Sequence, residues 1–135
     1  MATQGTPNGG LDDIASLAYA GVSMQLVAYT NTPNSLGSGT VAADLTQPAV
    51  ANGYAPITLD GTWSSTNGVI TYEHSEIDPV LGALPKWIAT GTWSATVVGV
   101  AIIRGAAVRH FKDLTSAFTA AAAKKLVVDL ATVVN

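Results

Sequence analysis

Alternation of apolar and polar residues with a period of two, the pattern of a half-buried strand, recurs along most of this chain. Residues 22–30 set Val22, Met24, Leu26 and Ala28 against Ser23, Gln25, Val27 and Tyr29, which predicts a strand with one better-buried face. Residues 53–65, GYAPITLDGTWSS, read as a central strand entered through glycine, although Pro56 lacks a ladder donor and favours an edge or a strand start. Asp60-Gly61 predicts a tight turn or bulge before Trp63, and Asn67-Gly68 predicts a hairpin joining TWSST to VITYEHSEI. KWIATGTW, from Lys86, alternates again. VVGVAIIRG is apolar on both faces, as in a strand covered on each side. In AAVRHFKDL, the period places Arg109, Phe111 and Asp113 on one side of a strand and Val108, His110 and Lys112 on the other.

The remaining stretches follow other rules. Residues 1–10 are mostly Gly, Pro, Asn, Thr and Gln with almost nothing to bury, the composition of an extended arm that only a partner surface would order. Residues 11–20 carry Leu11, Ile14, Ala15 and Ala18 at helical spacing, with Asp12 and Asp13 in the first turn and Gly21 just beyond, so a short helix is expected. Residues 31–52 have loop chemistry, with at most a short helical turn near residues 41–45. Within that loop, SLGSGT lacks the Gly-Lys-Ser/Thr ending of a phosphate cradle. Residues 115–134 give conflicting signals: alanine and leucine favour helix, while LVVDLATVV is rich in β-branched valine. The expected domain plan is an arm at 1–10 and one domain at 11–135.

Composition narrows the functional classes. Charged residues make up 11% of the 135 against 48% hydrophobic. Soluble domains usually carry about 25%, so this lean surface predicts apolar area covered by other chains. Six basic residues and a net charge of −3 are too little for a phosphate-neutralising stripe, so nucleic acid is not an expected partner. Without cysteine there is no disulfide or thiol nucleophile. No basic and apolar leader opens the sequence, so no export signal is expected, and residues 93–103 are too short and too interrupted to span a membrane.

Few residues invite chemistry. His74 and Glu76 at i, i+2 share a strand face, and Asp78 follows on the same side, so the three could approach one metal ion. A solvated strand end explains the same polar run, and one His-x-Glu is a weak signature. His110, between Arg109 and Lys112, reads as a surface or interface histidine, because no nucleophile motif accompanies it. No catalytic, cofactor or metal residue is therefore assigned, and no enzyme activity is expected. Exposed Trp63, Trp87 or Trp93 beside Tyr72 and Glu73 would suit a sugar-stacking surface; buried tryptophans would remove it.

MQLVAYTNTPN, the loop leading through TVAADLTQPAVANGYAPITL, the tryptophan strand, VVGVAIIRG and the closing KLVVDLATVV together resemble a group of small bacteriophage virion proteins. That group shows a run ending in LFTN or similar, a loop leading to GYA and a TL strand, and a later GY or GV strand. The resemblance covers about residues 24–134; the arm and helix lie outside it, and AAAAKK stands where a glycine-led turn belongs. It implies an all-β fold, a final strand rather than a helix, and a place in the phage particle, and it transfers no catalytic residue. The combined expectation is an antiparallel β-sandwich, jelly-roll-like, with a short N-terminal helix and an extended arm. Its expected role is that of a capsid decoration or cement protein on the virion surface, binding the major capsid protein and its own copies, with a homotrimer as the expected assembly. The alternative is a tail-associated receptor- or carbohydrate-binding module.

Overall fold

The computed structural model describes Tyr19, residues 23–31 and residues 39–135. The expected arm at 1–10 and, apart from Tyr19, the expected helix at 11–20 lie outside the described residues. What is described is mostly β structure with antiparallel sheets and one short α-helix.

The strands are β1 (Gln25–Tyr29), β2 (Ile57–Thr58), β3 (Thr62–Thr66), β4 (Val69–Glu73), β5 (Lys86–Ile88), β6 (Val97–Arg104), β7 (Ala107–Phe118) and β8 (Lys125–Val127), and the α-helix is α1 (Leu130–Val134). A four-stranded sheet runs in the order β2-β1-β6-β7; β3 pairs with β4 and β5 with β8 in two further ladders. The hairpin at Asn67-Gly68 forms as the sequence predicts. Asn67 (φ 53°) and Gly68 (φ 80°) both take left-handed backbone, the turn whose twist matches that of the flanking strands.

Covering on both faces makes β1 and β6 the centre of the molecule. Leu26 and Ala28 lie beside Ile102 and Val100 in a large apolar cluster with Tyr54, Tyr72, Trp87, Trp93, Leu126 and Leu130. On the opposite face, Val27 and Tyr29 join Ala101, Ile103 and Leu45 in a smaller cluster. β6 thus has the double cover that its unbroken apolar run predicts. β1 is buried on both faces too, a stronger burial than its alternation suggests, because tyrosine and valine on its supposedly weaker face are covered by the segment around Leu45.

The run at residues 53–65 is not one central strand. Tyr54 is buried in the larger cluster, β2 spans only two residues at the sheet edge, and the chain then leaves through Asp60-Gly61 to begin β3 in a separate ladder. Pro56, immediately before β2, sits where a missing donor does least harm. The expected strand from Lys86 stops at Ile88, and Trp93 lies in the following non-strand segment.

A bulge corrects the face assignment on β7. Ile102 pairs with His110 and Ile103 with Val108, leaving Arg109 as the extra residue. Two residues opposite one reset the pleat, so Val108 and Phe111 pack on the smaller cluster. His110 faces the opposite way and bonds to Tyr19 of the larger cluster. The conflicting signals at 115–134 reflect a mixture: β7 continues to Phe118, β8 follows, and α1 closes the chain. Asp129 caps α1, its Oδ1 accepting from Ala131 N–H at 3.1 Å. The last segment is therefore a strand only for Lys125–Val127.

One cross-strand row ties three strands together. Tyr29 pairs with Gly99, and Gly99 pairs with Asp113. The phenol passes over Gly99, and its O–H donates to Asp113 Oδ1 at 2.6 Å. A Cβ at position 99 would stand 2.0 Å from Tyr29 Cζ, so only glycine leaves the ring a path. Gly99→Ala is expected to destabilise the protein by about 1–3 kcal/mol, as overpacking of a close-packed core does. Urea denaturation tests this, and an unchanged midpoint would show that the ring does not occupy the space above Gly99.

Candidate functional site

The described residues that carry chemistry are distributed, and each is held by its own neighbours. His74, just past β4, places Nδ1 2.8 Å from the Tyr72 hydroxyl and 3.7 Å from Asp60 Oδ1. The same Tyr72 hydroxyl accepts from Gly61 N–H at 2.9 Å. Asp78 points elsewhere, into its own tight loop. Its Oδ1 accepts from the backbone N–H groups of Val80 and Leu81 at 2.8 and 2.9 Å, while Oδ2 meets Lys86 Nζ at 3.2 Å. Those amide bonds, reinforced by Lys86, hold the Asp78 carboxyl down to about 2. Glu76, exposed between them, approaches neither in the manner of a shared ligand set. No group of three histidine, cysteine or carboxylate side chains placed to hold a metal occurs among the described residues.

An open groove of about 520 Å³ lies between β2 and β5, walled by Pro56, Ile57, Glu76, Ile77 and Ile88, with the Asp78–Lys86 pair at its border. Its rim is apolar. Ile77 is 70% exposed, Val80 in the adjoining loop 88% and Ile88 43%. The Asp78 loop presents Ile77 and Val80 because the two amide bonds and a double backbone bridge to Gly82, both 2.8 Å, fix its path, while Ile88 stands on β5. The arrangement offers an apolar contact surface with one ion pair at its edge, and no paired acid and base.

The second polar cluster is aromatic. Tyr19 stacks on Trp63 at 4.7 Å between centroids and on His110 at 5.8 Å, and its hydroxyl bonds with His110 Nε2. Trp63 also lies 4.7 Å from Tyr72, which continues to His74 at 5.8 Å. Burial, and secondarily the charge of Arg109, push the His110 pKa below its ordinary value and favour the neutral ring. His110 is half-buried and partnered by Tyr19. No serine, threonine or carboxylate is hydrogen-bonded to it among the described residues.

The three tryptophans do not form a platform for a sugar. Trp87 and Trp93 are buried, with their indole N–H groups donating to the carbonyls of Ala55 at 2.7 Å and Asn52 at 2.8 Å. Trp63 is half-buried between Tyr19 and Tyr72, and its Nε1 is enclosed with no hydrogen-bond partner among the described residues. No family model, curated protein or solved structure matches this chain.

In the long loop, residue 31 and residues 39–52 are described, and hydrogen bonds hold them. A 3-10 turn at Ala42–Asp44 falls where a short helical turn is expected, and the Asp44 carboxylate accepts from Val41 N–H at 2.9 Å. Asn31 clamps the same region: Nδ2 donates to Asp44 O at 3.0 Å, and Oδ1 accepts from Thr46 N–H at 2.6 Å. Leu45 is thereby seated in the smaller cluster. The exposed isoleucines and valine at the groove are the surface that sequence reasoning missed. Of these, only Val80 falls in the apolar run VLGAL beside a turn, which has the composition of ordinary connecting loop.

Because the folded Asp78 carboxyl is more acidic than the unfolded value of 3.8, its contribution to stability is present above that value and is lost as pH falls through about 2. The carboxyl carbon of Asp78, followed by NMR, is expected to titrate with a midpoint near 2, with the Val80 and Leu81 amide signals moving together with it. A midpoint at the unperturbed value would show that the loop does not hold the carboxylate.

Proposed function

We propose that this chain is a structural component of a tailed-phage particle, a capsid decoration or cement protein that binds the major capsid protein and its own copies. The observation that carries the reading is the set of exposed aliphatic side chains at and beside the groove. Ile77 and Ile88 line one concavity and stand exposed, with Val80 exposed in the adjoining loop, in a chain with only 11% charged residues. Large exposed aliphatic side chains rimming a groove are the surface that another chain covers. The resemblance of residues 24–134 to small phage virion proteins supports the assignment to a particle. The separate partners of His74 and Asp78 support a mechanical rather than a chemical role.

The β elements suit a rigid body. We read them as an antiparallel sandwich of jelly-roll type, the four-stranded sheet forming one layer and the β3–β4 and β5–β8 ladders the other. Side chains from all three ladders meet in the larger cluster, which supports that reading. Such a body binding an assembled shell stabilises it by mass action, because the assembled state alone presents the full binding surface. Many weakly bound copies act together. The tail-associated carbohydrate module has less support, since Trp87 and Trp93 are committed to the core.

Quantitative mass spectrometry of purified particles tests the assignment. Hundreds of copies, with occupancy reduced about tenfold or more by Ile77→Asp with Val80→Asp, are expected, since burying two unpaired carboxylates at a contact is costly. A handful of copies confined to the tail, or absence from the particle, would overturn it.

A further inference from the structure

We propose that the groove between β2 and β5 takes a segment of a partner chain that carries an aliphatic side chain beside an arginine or lysine, the aliphatic group resting against Ile77 and Ile88 and the cation meeting Glu76. The proposal rests on the reading of this groove as a contact surface and specifies what it contacts. The concavity is built into the fold. A Cβ at Gly53 would stand 2.1 Å from the Ile88 carbonyl oxygen, and Trp87 Nε1 donates to Ala55 O at 2.7 Å, so the chain before β2 and the strand β5 are held against each other without a partner. A surface fixed in advance loses little freedom on binding.

Charge selects the occupant. Lys86 and Asp78 face each other at 3.2 Å at the border of the groove and offset one another. Glu76 also lines the groove, is exposed, and has neither an ion pair nor a hydrogen bond among the described residues. A partner that covers Ile77 and Ile88 takes water from the Glu76 carboxylate as well, because all three line one concavity. Burying an unpaired carboxylate is costly, so a wholly apolar or acidic partner gains little there. One that supplies a cation turns the same carboxylate into the acceptor of a charge-assisted hydrogen bond. Guanidinium suits the place best, being flat and weakly hydrated. Residues 1–18 carry Asp12 and Asp13 and neither lysine nor arginine, so the arm of the same chain does not complement the groove.

NMR titration of the purified chain with isoamylguanidinium, a branched aliphatic tail ending in a cation, tests this in the absence of any particle. The Ile77 and Ile88 signals are expected to move with isoamylguanidinium and to need about tenfold more isocaproate, an anion of similar shape, for the same movement. Glu76→Gln should weaken the response to the guanidinium about tenfold, and Glu76→Lys should reverse the preference in favour of isocaproate. Glu76 is exposed and unpaired among the described residues, so neither variant disturbs the core. Equal response to both probes, no response to either, or a preference that survives Glu76→Lys would overturn the proposal. So would an oligomer of the parent chain, seen by analytical ultracentrifugation, that Glu76→Lys dissociates, because the groove would then belong to a second copy. Probe preference in a chain absent from purified particles would remove the shell reading and keep the groove's selectivity for a basic segment.

Discussion

The row Tyr29, Gly99, Asp113 is the constraint on which the sheet depends. A phenol on β1 can reach a carboxylate on β7 only if the intervening residue on β6 has no side chain, and position 99 supplies that absence. The contact links the strand that begins the described body to one placed more than 80 residues later in sequence. Tyr29 also belongs to the smaller apolar cluster with Ala101, and Phe111 packs against that cluster. Burial, and then the bond to Asp113, raise the phenol's pKa well above its ordinary range, so the hydroxyl remains a donor throughout the accessible pH range.

From that row the two faces of the sheet take different roles. The larger cluster gathers Trp87, Trp93, Tyr54 and Tyr72, so the two buried indoles stabilise the body and are withdrawn from any ligand. Their N–H groups reach carbonyls in the segment around Asn52 to Ala55, which pins that segment against the sheet and leaves the groove between β2 and β5. The exposed aliphatic side chains then occur on the loop braced by Asp78 and on β5.

Much of this was legible in the sequence, and the departures have physical causes. The β content, the Asn67-Gly68 hairpin, the doubly covered β6 and the short turn near Val41 follow from periodicity and turn chemistry acting locally. Residues 53–65 mislead because alternation signals a strand without saying which ladder it joins. Tyr54 is drawn into the core by Trp87 and Trp93, which local sequence does not reveal. The faces of β7 are misassigned because the bulge at Arg109 is set by pairing with β6, not by its own residues. His74, Glu76 and Asp78 share a spacing, but Asp78 is claimed by two amides and a lysine, partners that emerge only when the loop closes.

A double-mutant cycle of Tyr29→Phe and Asp113→Asn, followed by chemical denaturation, tests the organising row most directly. If the phenol bonds Asp113 across Gly99 and the sheet depends on it, each single variant loses stability and the pair shows a coupling of about 1 kcal/mol or more. Additive losses, with coupling near zero, would contradict the account.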